Sequence, residues 1–299
     1  MSTDADKVIV TRAVGATQRF GRTDDELARR QPALRDGYFK GKVVLVSGGA
    51  TGIGRALGNW AARLGADVIL CGRNAVKLED AAGALARYGA RTMVHALTIR
   101  DPVAVSDLFD RAWERFGRVD IVINNAGGQF PSPAIDISPK GWQAVLDTNL
   151  TGSWYMMQAA AKRWSAAHLP GSIVNIVAVV GRGMPGVAHT CAARAGVIHL
   201  ARTLAIEWAP LNIRVNCVAP GIIATDGMNV YSEAARKALP QTNLMKRFGQ
   251  VEEVADAVCL LAGDGGGFVT GEVLHVDGGN QIWGDQWTIP KPDYFKIDE

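Results

Sequence analysis

The sequence predicts a single α/β domain built on a doubly wound parallel sheet. Three observations predict it: short β-branched runs alternate with stretches of helical periodicity, a glycine-rich turn joins the first run to the first helix, and no break in composition divides residues 41–282. Strands alternating with helices need crossover connections, which place helices on both faces of a parallel sheet. Residues 1–40 are polar and mixed in charge, with Asp24-Asp25-Glu26 ahead of Arg29-Arg30. They read as an extension outside the core, with one short helix. Residues 283–299 carry Trp283, Trp287, Pro290, Pro292, Tyr294 and Phe295 and read as an aromatic tail.

The elements follow in order. Val43-Val44-Leu45-Val46 is a short apolar run, as expected of a parallel strand covered on both faces. Ile53, Leu57, Trp60, Ala61 and Leu64 then recur at helical spacing up to Gly65. Asp67–Cys71 is a second strand, and a helix around 75–88 leads to a third at Thr92–Leu97. A helix around 103–116 leads to Val119–Ile123, and later strands are expected at Ile173–Val177, Arg214–Val218 and Val273–Val276.

Composition removes several classes of function. The 299 residues are 48% hydrophobic and 20% charged, which is enough apolar mass for a substantial core. Thirty-two basic against 29 acidic residues leave a net charge of +3, with no feature that calls for nucleic acid or a membrane surface as partner. A small-molecule substrate is the expectation. Cys71, Cys191, Cys217 and Cys259 lie far apart in apolar stretches without metal-ligand spacing, so they read as buried reduced thiols of a cytoplasmic protein with no metal. No apolar run reaches the roughly 18 residues of a membrane span, and the early Asp4 and Asp6 do not suit a secretory leader.

Glycine is enriched, at 34 of 299 residues, and its most informative cluster is Ser47-Gly48-Gly49-Ala50-Thr51-Gly52-Ile53-Gly54. Between a strand and a helix, Gly48, Gly52 and Gly54 can make the tight turn, let the backbone approach a pyrophosphate, and let the helix pack close to the strand. Backbone N–H groups at the helix N-terminus then face the anion. The turn therefore predicts a Rossmann-type dinucleotide site, with Ser47, Gly48, Thr51, Gly52, Ile53 and Gly54 in contact with the cofactor.

The spacing Gly-x-x-x-Gly-x-Gly resembles that of the short-chain dehydrogenase/reductase family, and further motifs follow in the family's order. They are Asn124-Asn125-Ala126-Gly127, Asn149-Leu150-Thr151-Gly152, Pro220-Gly221-Ile222-Ile223-Ala224-Thr225 and Val276-Asp277-Gly278-Gly279. The resemblance implies that Asn125, Ala126 and Gly127 lie beneath the nucleotide. It also implies that Pro220, Gly221, Ile223 and Thr225 grip the nicotinamide, that a substrate lid spans 226–246 with Met228, Tyr231 and Met245, and that the protein is a homotetramer. After the second strand comes Gly72-Arg73-Asn74, with no acid to hold a ribose 2′-hydroxyl. Arg73 can instead pair with a 2′-phosphate, so NADP(H) is the expected cofactor. Thr98 stands where the family often has an Asp beside the adenine.

The family's catalytic pattern is only partly present. Typical members use a Tyr-x-x-x-Lys pair on a helix, a Ser and a helical Asn. Here Thr190 and Arg194 occupy the Tyr and Lys positions, Val177 or Ala178 falls at the Ser, and Asn149 remains. The candidate catalytic residues are therefore Asn149, Thr190 and Arg194, the last also placed to hold the cofactor's ribose. Tyr155 is out of register, and His189 reads as a helix-flanking residue.

An alcohol is a far weaker acid than a phenol, so protonating an alkoxide near neutral pH is disfavoured. Reducing an activated C=C bond asks less, because hydrogen-bond donors suffice to stabilise an enolate. Val187–Glu207, and the stretch from Gly127 through Phe130, Ser132, Lys140 and Trp142 to Gly152, resemble the peroxisomal trans-2-enoyl-CoA reductases and the related 2,4-dienoyl-CoA reductases. Ile198 stands where the animal enzymes place a Tyr, and Lys296–Glu299 is no Ser-Lys-Leu type address. The resemblance implies NADPH-dependent reduction of an α,β-unsaturated acyl thioester. Two readings stay open beside it: an NADP-dependent alcohol or ketone oxidoreductase on an apolar, terpenoid or steroid-like substrate, and a catalytically lapsed NADP(H)-binding protein.

Overall fold

The computed structural model describes residues 20–231 and 233–282. Seven parallel strands run in the order β3-β2-β1-β4-β5-β6-β7. They are β1 (Val43–Ser47), β2 (Asp67–Gly72), β3 (Thr92–Ala96), β4 (Ile121–Asn124), β5 (Gly171–Ile176), β6 (Ile213–Pro220) and β7 (Val273–Val276). The order reverses between β1 and β4, which pair as Val44↔Ile121 and Val46↔Ile123. Such a reversal opens a crevice beyond the strands' carboxyl ends, where ligands of open α/β sheets bind.

The buried strand β1 shows why the sheet needs both layers. All five of its residues are buried, and the period of two sends alternate side chains to opposite faces. Val44 and Val46 join Leu57, Trp60, Val254 and Val258 beneath α2 (Gly52–Arg63) and α9 (Val251–Ala262). Val43 and Leu45 join Phe109, Met156, Trp164 and Val197 beneath α4 (Pro102–Phe116), α6 (Gly152–Ala167) and α7 (Ala188–Trp208). Local chemistry sets the helix ends. In α4 the Asp101 carboxylate accepts from Val103 N and Ala104 N, Pro102 occupies the first turn, and Gly117 closes the helix at φ 75°. The remaining helices are α3 (Ala75–Leu85), α5 (Pro139–Leu146) and the short α8 (Glu233–Ala238).

Three expectations are corrected. The extension does not lie wholly outside the core. It forms α1 (Asp24–Arg29), and Leu27 and Phe39 are only 2% and 1% exposed within the α2/α9 cluster. Strand β4 starts at Ile121 rather than Val119: at Asp120 the backbone still donates to Val43 O at 2.9 Å, but the Val43 N–H is taken by the Asp120 carboxylate at 2.8 Å instead of by a strand carbonyl. Cys191 is half-buried, whereas Cys71, Cys217 and Cys259 are buried as expected; all four are free thiols. The aromatic residues from Trp283 to Phe295 lie outside the described residues.

Candidate active site

Strand β1 ends at Ser47, and the chain turns through Gly48 at φ +66° and Gly52 at φ +54°, a region that L side chains avoid. The Ser47 hydroxyl accepts from Asn125 N at 3.1 Å and Ala126 N at 3.0 Å. The Asn125 amide donates back to Ser47 O and Gly48 O at 3.0 and 3.1 Å. These bonds lock the loop after β4 against the glycine-rich turn. A Cβ on Gly54 would collide with the Gly48 carbonyl, so that glycine sets how closely α2 approaches the strand.

The first turn of α2 has its N–H groups free. Thr51 makes no side-chain cap, and the turn holds no acidic residue. Thr225 lies against Gly52, with its methyl carbon 3.6 Å from where a Cβ would be. A glycine cradle under an uncapped helix start fits a pyrophosphate. Exposed Arg73 stands just after β2 and makes no hydrogen bond or ion pair among the described residues. Next to it, Asn74 caps α3 by accepting from Lys77 N at 3.0 Å.

The second half of the site forms where α7 meets the loop after β4. Asn149 lies in a π-helical turn, Asp147–Thr151, between α5 and α6, and is 1% exposed. Its amide donates to Gly128 O at 2.7 Å and Val145 O at 2.9 Å, and accepts from Gly128 N at 3.2 Å. Asn149 therefore positions the Gly127-Gly128 backbone and has little capacity left for a substrate. A Cβ on Gly127 would run into the Arg194 guanidinium and stand 2.6 Å from Asn149 Oδ1. Gly127, Asn149 and Arg194 thus share one packed spot.

Arg194 is 8% exposed and has no carboxylate or hydrogen-bond partner among the described residues. Burial pushes its pKa down to about 10, so the group stays charged at neutral pH. An unpaired buried guanidinium is costly and is explained most simply by a ligand that it is built to meet.

Thr190, one turn earlier on α7, is 3% exposed and brings a hydroxyl to this face. Its N–H donates to Val187 O at 2.9 Å and also points to His189 Nδ1 at 2.8 Å. His189 is fully buried, with the Phe130 ring edge-on at 4.5 Å and Nε2 unpartnered. His189 is thus the second residue of α7 and a buried core group rather than a residue that flanks the helix. Val177 is buried and Ala178 half-buried at the serine position, and neither offers a donor.

The far wall comes from the end of β6. Pro220 closes the strand, and a Cβ on Gly221 would sit 2.7 Å from Asp277 Cα. Buried Ile223 pairs with Gly249 in an isolated bridge, which fixes the backbone leading to Thr225. One connection across the cleft was not legible as a contact: Gln129 Nε2 donates to Tyr231 Oη at 2.9 Å, joining the loop after β4 to the segment after β6. Both residues lie in stretches that the family resemblance singles out, but their separation of 102 positions leaves no local signal.

The family model described as Enoyl-(Acyl carrier protein) reductase matches residues 48–281. A Bacillus subtilis protein named probable 2,4-dienoyl-CoA reductase [(2E)-enoyl-CoA-producing] is 36% identical over 256 residues, covering 84% of this chain and 98% of that one. The 3-oxoacyl-[acyl-carrier-protein] reductase FabG of Escherichia coli is 36% identical over 243 residues, covering 81% and 98%. Among solved structures, the citronellol catabolism dehydrogenase AtuB of Pseudomonas aeruginosa superposes with a TM-score of 0.76 at 38% identity, covering 84% of this chain and all of that one. With the glycine-rich turn, the Asn-Asn-Ala-Gly loop and the helix that carries Arg194 all in one cleft, the chain belongs to the short-chain dehydrogenase/reductase family and is an oxidoreductase of that family.

Proposed function

We propose that this protein is an NADPH-dependent reductase of the C=C bond of an α,β-unsaturated acyl thioester of the trans-2-enoyl-CoA type. The observation that carries the reading is the face of α7 that meets the cleft. It presents a buried Thr190 and an unpaired, charged Arg194, with no phenol between them. A bound reduced nicotinamide would supply hydride to the β-carbon, and water would supply the proton that the resulting enolate takes up at its α-carbon. Arg194 holds the ribose hydroxyls and places a positive charge beside the forming enolate. Asn149 keeps the Gly127-Gly128 backbone in position, and the Thr190 hydroxyl donates to the thioester oxygen. Arg73 contacts the 2′-phosphate. Names among the relatives support an acyl thioester substrate.

NADPH consumption with thioesters from crotonyl-CoA to decenoyl-CoA tests this. Turnover is expected, and none across that range with cofactor bound overturns it. The similarity to a dehydrogenase of citronellol catabolism favours a second reading, an alcohol or ketone oxidoreductase on a terpenoid-like substrate. That reading requires NADP⁺ reduction that depends on an apolar alcohol. NADPH binding with no hydride transfer to either panel would indicate the lapsed protein. Among the described residues no helix is long and apolar enough to cross a membrane. A cytoplasmic homotetramer remains the proposed form.

A further inference from the structure

The N-terminal segment meets the glycine-rich turn around a cavity of about 270 Å³. Gly21, Arg22 and Asp24 form one wall, Thr51, Gly52 and Arg55 the other, and Asp226 closes the end. The uncapped first turn of α2 opens here. Charge in the cavity is unevenly committed. Arg55 is held by Asp24 at 2.9 and 2.5 Å and by Asp80 at 2.7 Å. Arg22 makes one long ion pair, Nη2 to Glu252 Oε1 at 3.3 Å, and its buried Nε has no partner. Asp226 has no hydrogen bond or ion pair among the described residues, and Arg22, which shares its charge with Glu252, is the cation in this lining not held by two carboxylates.

The same segment also grips the chain leaving β6. Gly21 packs against Thr225 and Asp226, with its Cβ position 3.8 Å from Thr225 Cα and 3.7 Å from Asp226 N. The Phe20 ring lies 5.7 Å from the Phe248 ring and 5.6 Å from the Arg236 guanidinium. Behind it, Asp24 is anchored on Arg55, Asp25 reaches Arg87 at 2.9 Å, and Ala33 N donates to Asp256 at 2.9 Å.

We infer that residues 20–24 are a strap that completes the diphosphate cradle of the dinucleotide, with Arg22 as a cofactor-positioning residue. The inference rests only on the dinucleotide-binding part of the reading above and not on the substrate. Arg22 adds positive charge to the N–H array of α2 in the cavity that it lines together with Asp226, and Phe20 couples that wall to the segment after β6.

The test is NADPH affinity of the full-length protein, read from tryptophan fluorescence quenching. Arg22→Ala is expected to raise Kd about tenfold, the size of one lost charge-assisted contact. Arg22→Lys, which keeps the charge, is expected to recover most of that loss. Asp226→Asn is expected to leave Kd at or below the wild-type value. 2′-AMP, which lacks the diphosphate, is expected to bind wild type and Arg22→Ala equally. A Kd within twofold of wild type in Arg22→Ala, an equal loss for 2′-AMP, or a matching rise in Asp226→Asn overturns the inference. Should the wild type reduce no enoyl thioester while Arg22→Ala still weakens NADPH binding, the substrate reading fails and the strap stands.

Discussion

Arg194 carries the most perturbed charge of the candidate site, a buried guanidinium with no hydrogen-bond or ion-pair partner among the described residues. Burial lowers its pKa to about 10, so folding penalises the charged form. The sign follows: the penalty is fully present below about pH 10 and disappears only as pH rises toward the unfolded value. It is therefore constant across neutral pH, and Arg194 should add no step to a pH–rate profile between about pH 6 and 9. Arg194→Met, which removes the charge and keeps the volume, should raise the thermal midpoint of the apoprotein while weakening NADPH binding more than tenfold. Calorimetry and fluorescence titration on the same samples check both halves. A lowered midpoint would mean that the guanidinium has a protein partner. Thr190, Arg194 and Asn149 were picked out by resemblance to the family's catalytic pattern, and the four-residue spacing that sets Thr190 and Arg194 one turn apart on α7 is a local signal. That Asn149 spends its amide on Gly128, and that His189 is a buried core group, depends on contacts between distant segments, which spacing does not encode.

At the level of elements, the site is held by turns that tolerate no added atom. Gly54→Ala would place a methyl on the Gly48 carbonyl at the α2–β1 junction, where neither backbone can retreat. It should cost about 2–4 kcal/mol in urea unfolding and lower dinucleotide affinity. Gly83→Ala, with open space around it in α3, should be neutral or slightly stabilising. Equal effects of the two would show that α2 packing does not control the cradle. The Gln129–Tyr231 bond is a different kind of element contact: it joins two segments that leave opposite sides of the cleft. If residues 226–246 cover the proposed acyl substrate, Gln129→Ala should raise its KM several-fold with kcat little changed, because the bond then holds the cover and touches no reacting atom. A loss confined to kcat would place Tyr231 in the chemistry instead. The alternation of strands and helices was readable because β-branched runs and helical periodicity are local signals. The π-helical turn at Asp147–Thr151 was not, since its residues carry no pattern that distinguishes it from the helices on either side.

At the scale of the whole molecule, the parallel sheet needs a complete layer on each face, and the extension supplies part of one. Composition marked residues 1–40 as separate because their charges dominate the average. Two apolar side chains decide otherwise: Leu27 and Phe39 are buried beside Trp60, Leu64 and Leu261. The charges around them are also used, since Arg63 donates to Ala28 O at 2.7 Å and Trp60 Nε1 to Asp256 at 2.8 Å. Residues 20–40 thus cover the α2/α9 layer and bring Arg22 beside the glycine-rich turn and Phe20 against Phe248. If so, Phe39→Ala should lower the unfolding free energy by about 3–5 kcal/mol through the cavity it leaves. Asp25→Asn removes only an exposed ion pair with Arg87 and should change it by less than about 1 kcal/mol. A chain beginning at residue 41 loses both buried side chains and the clamp on α2, and should unfold at a lower urea concentration than either variant. Equal midpoints for the shortened and full chains would return the extension to the solvent side of the molecule.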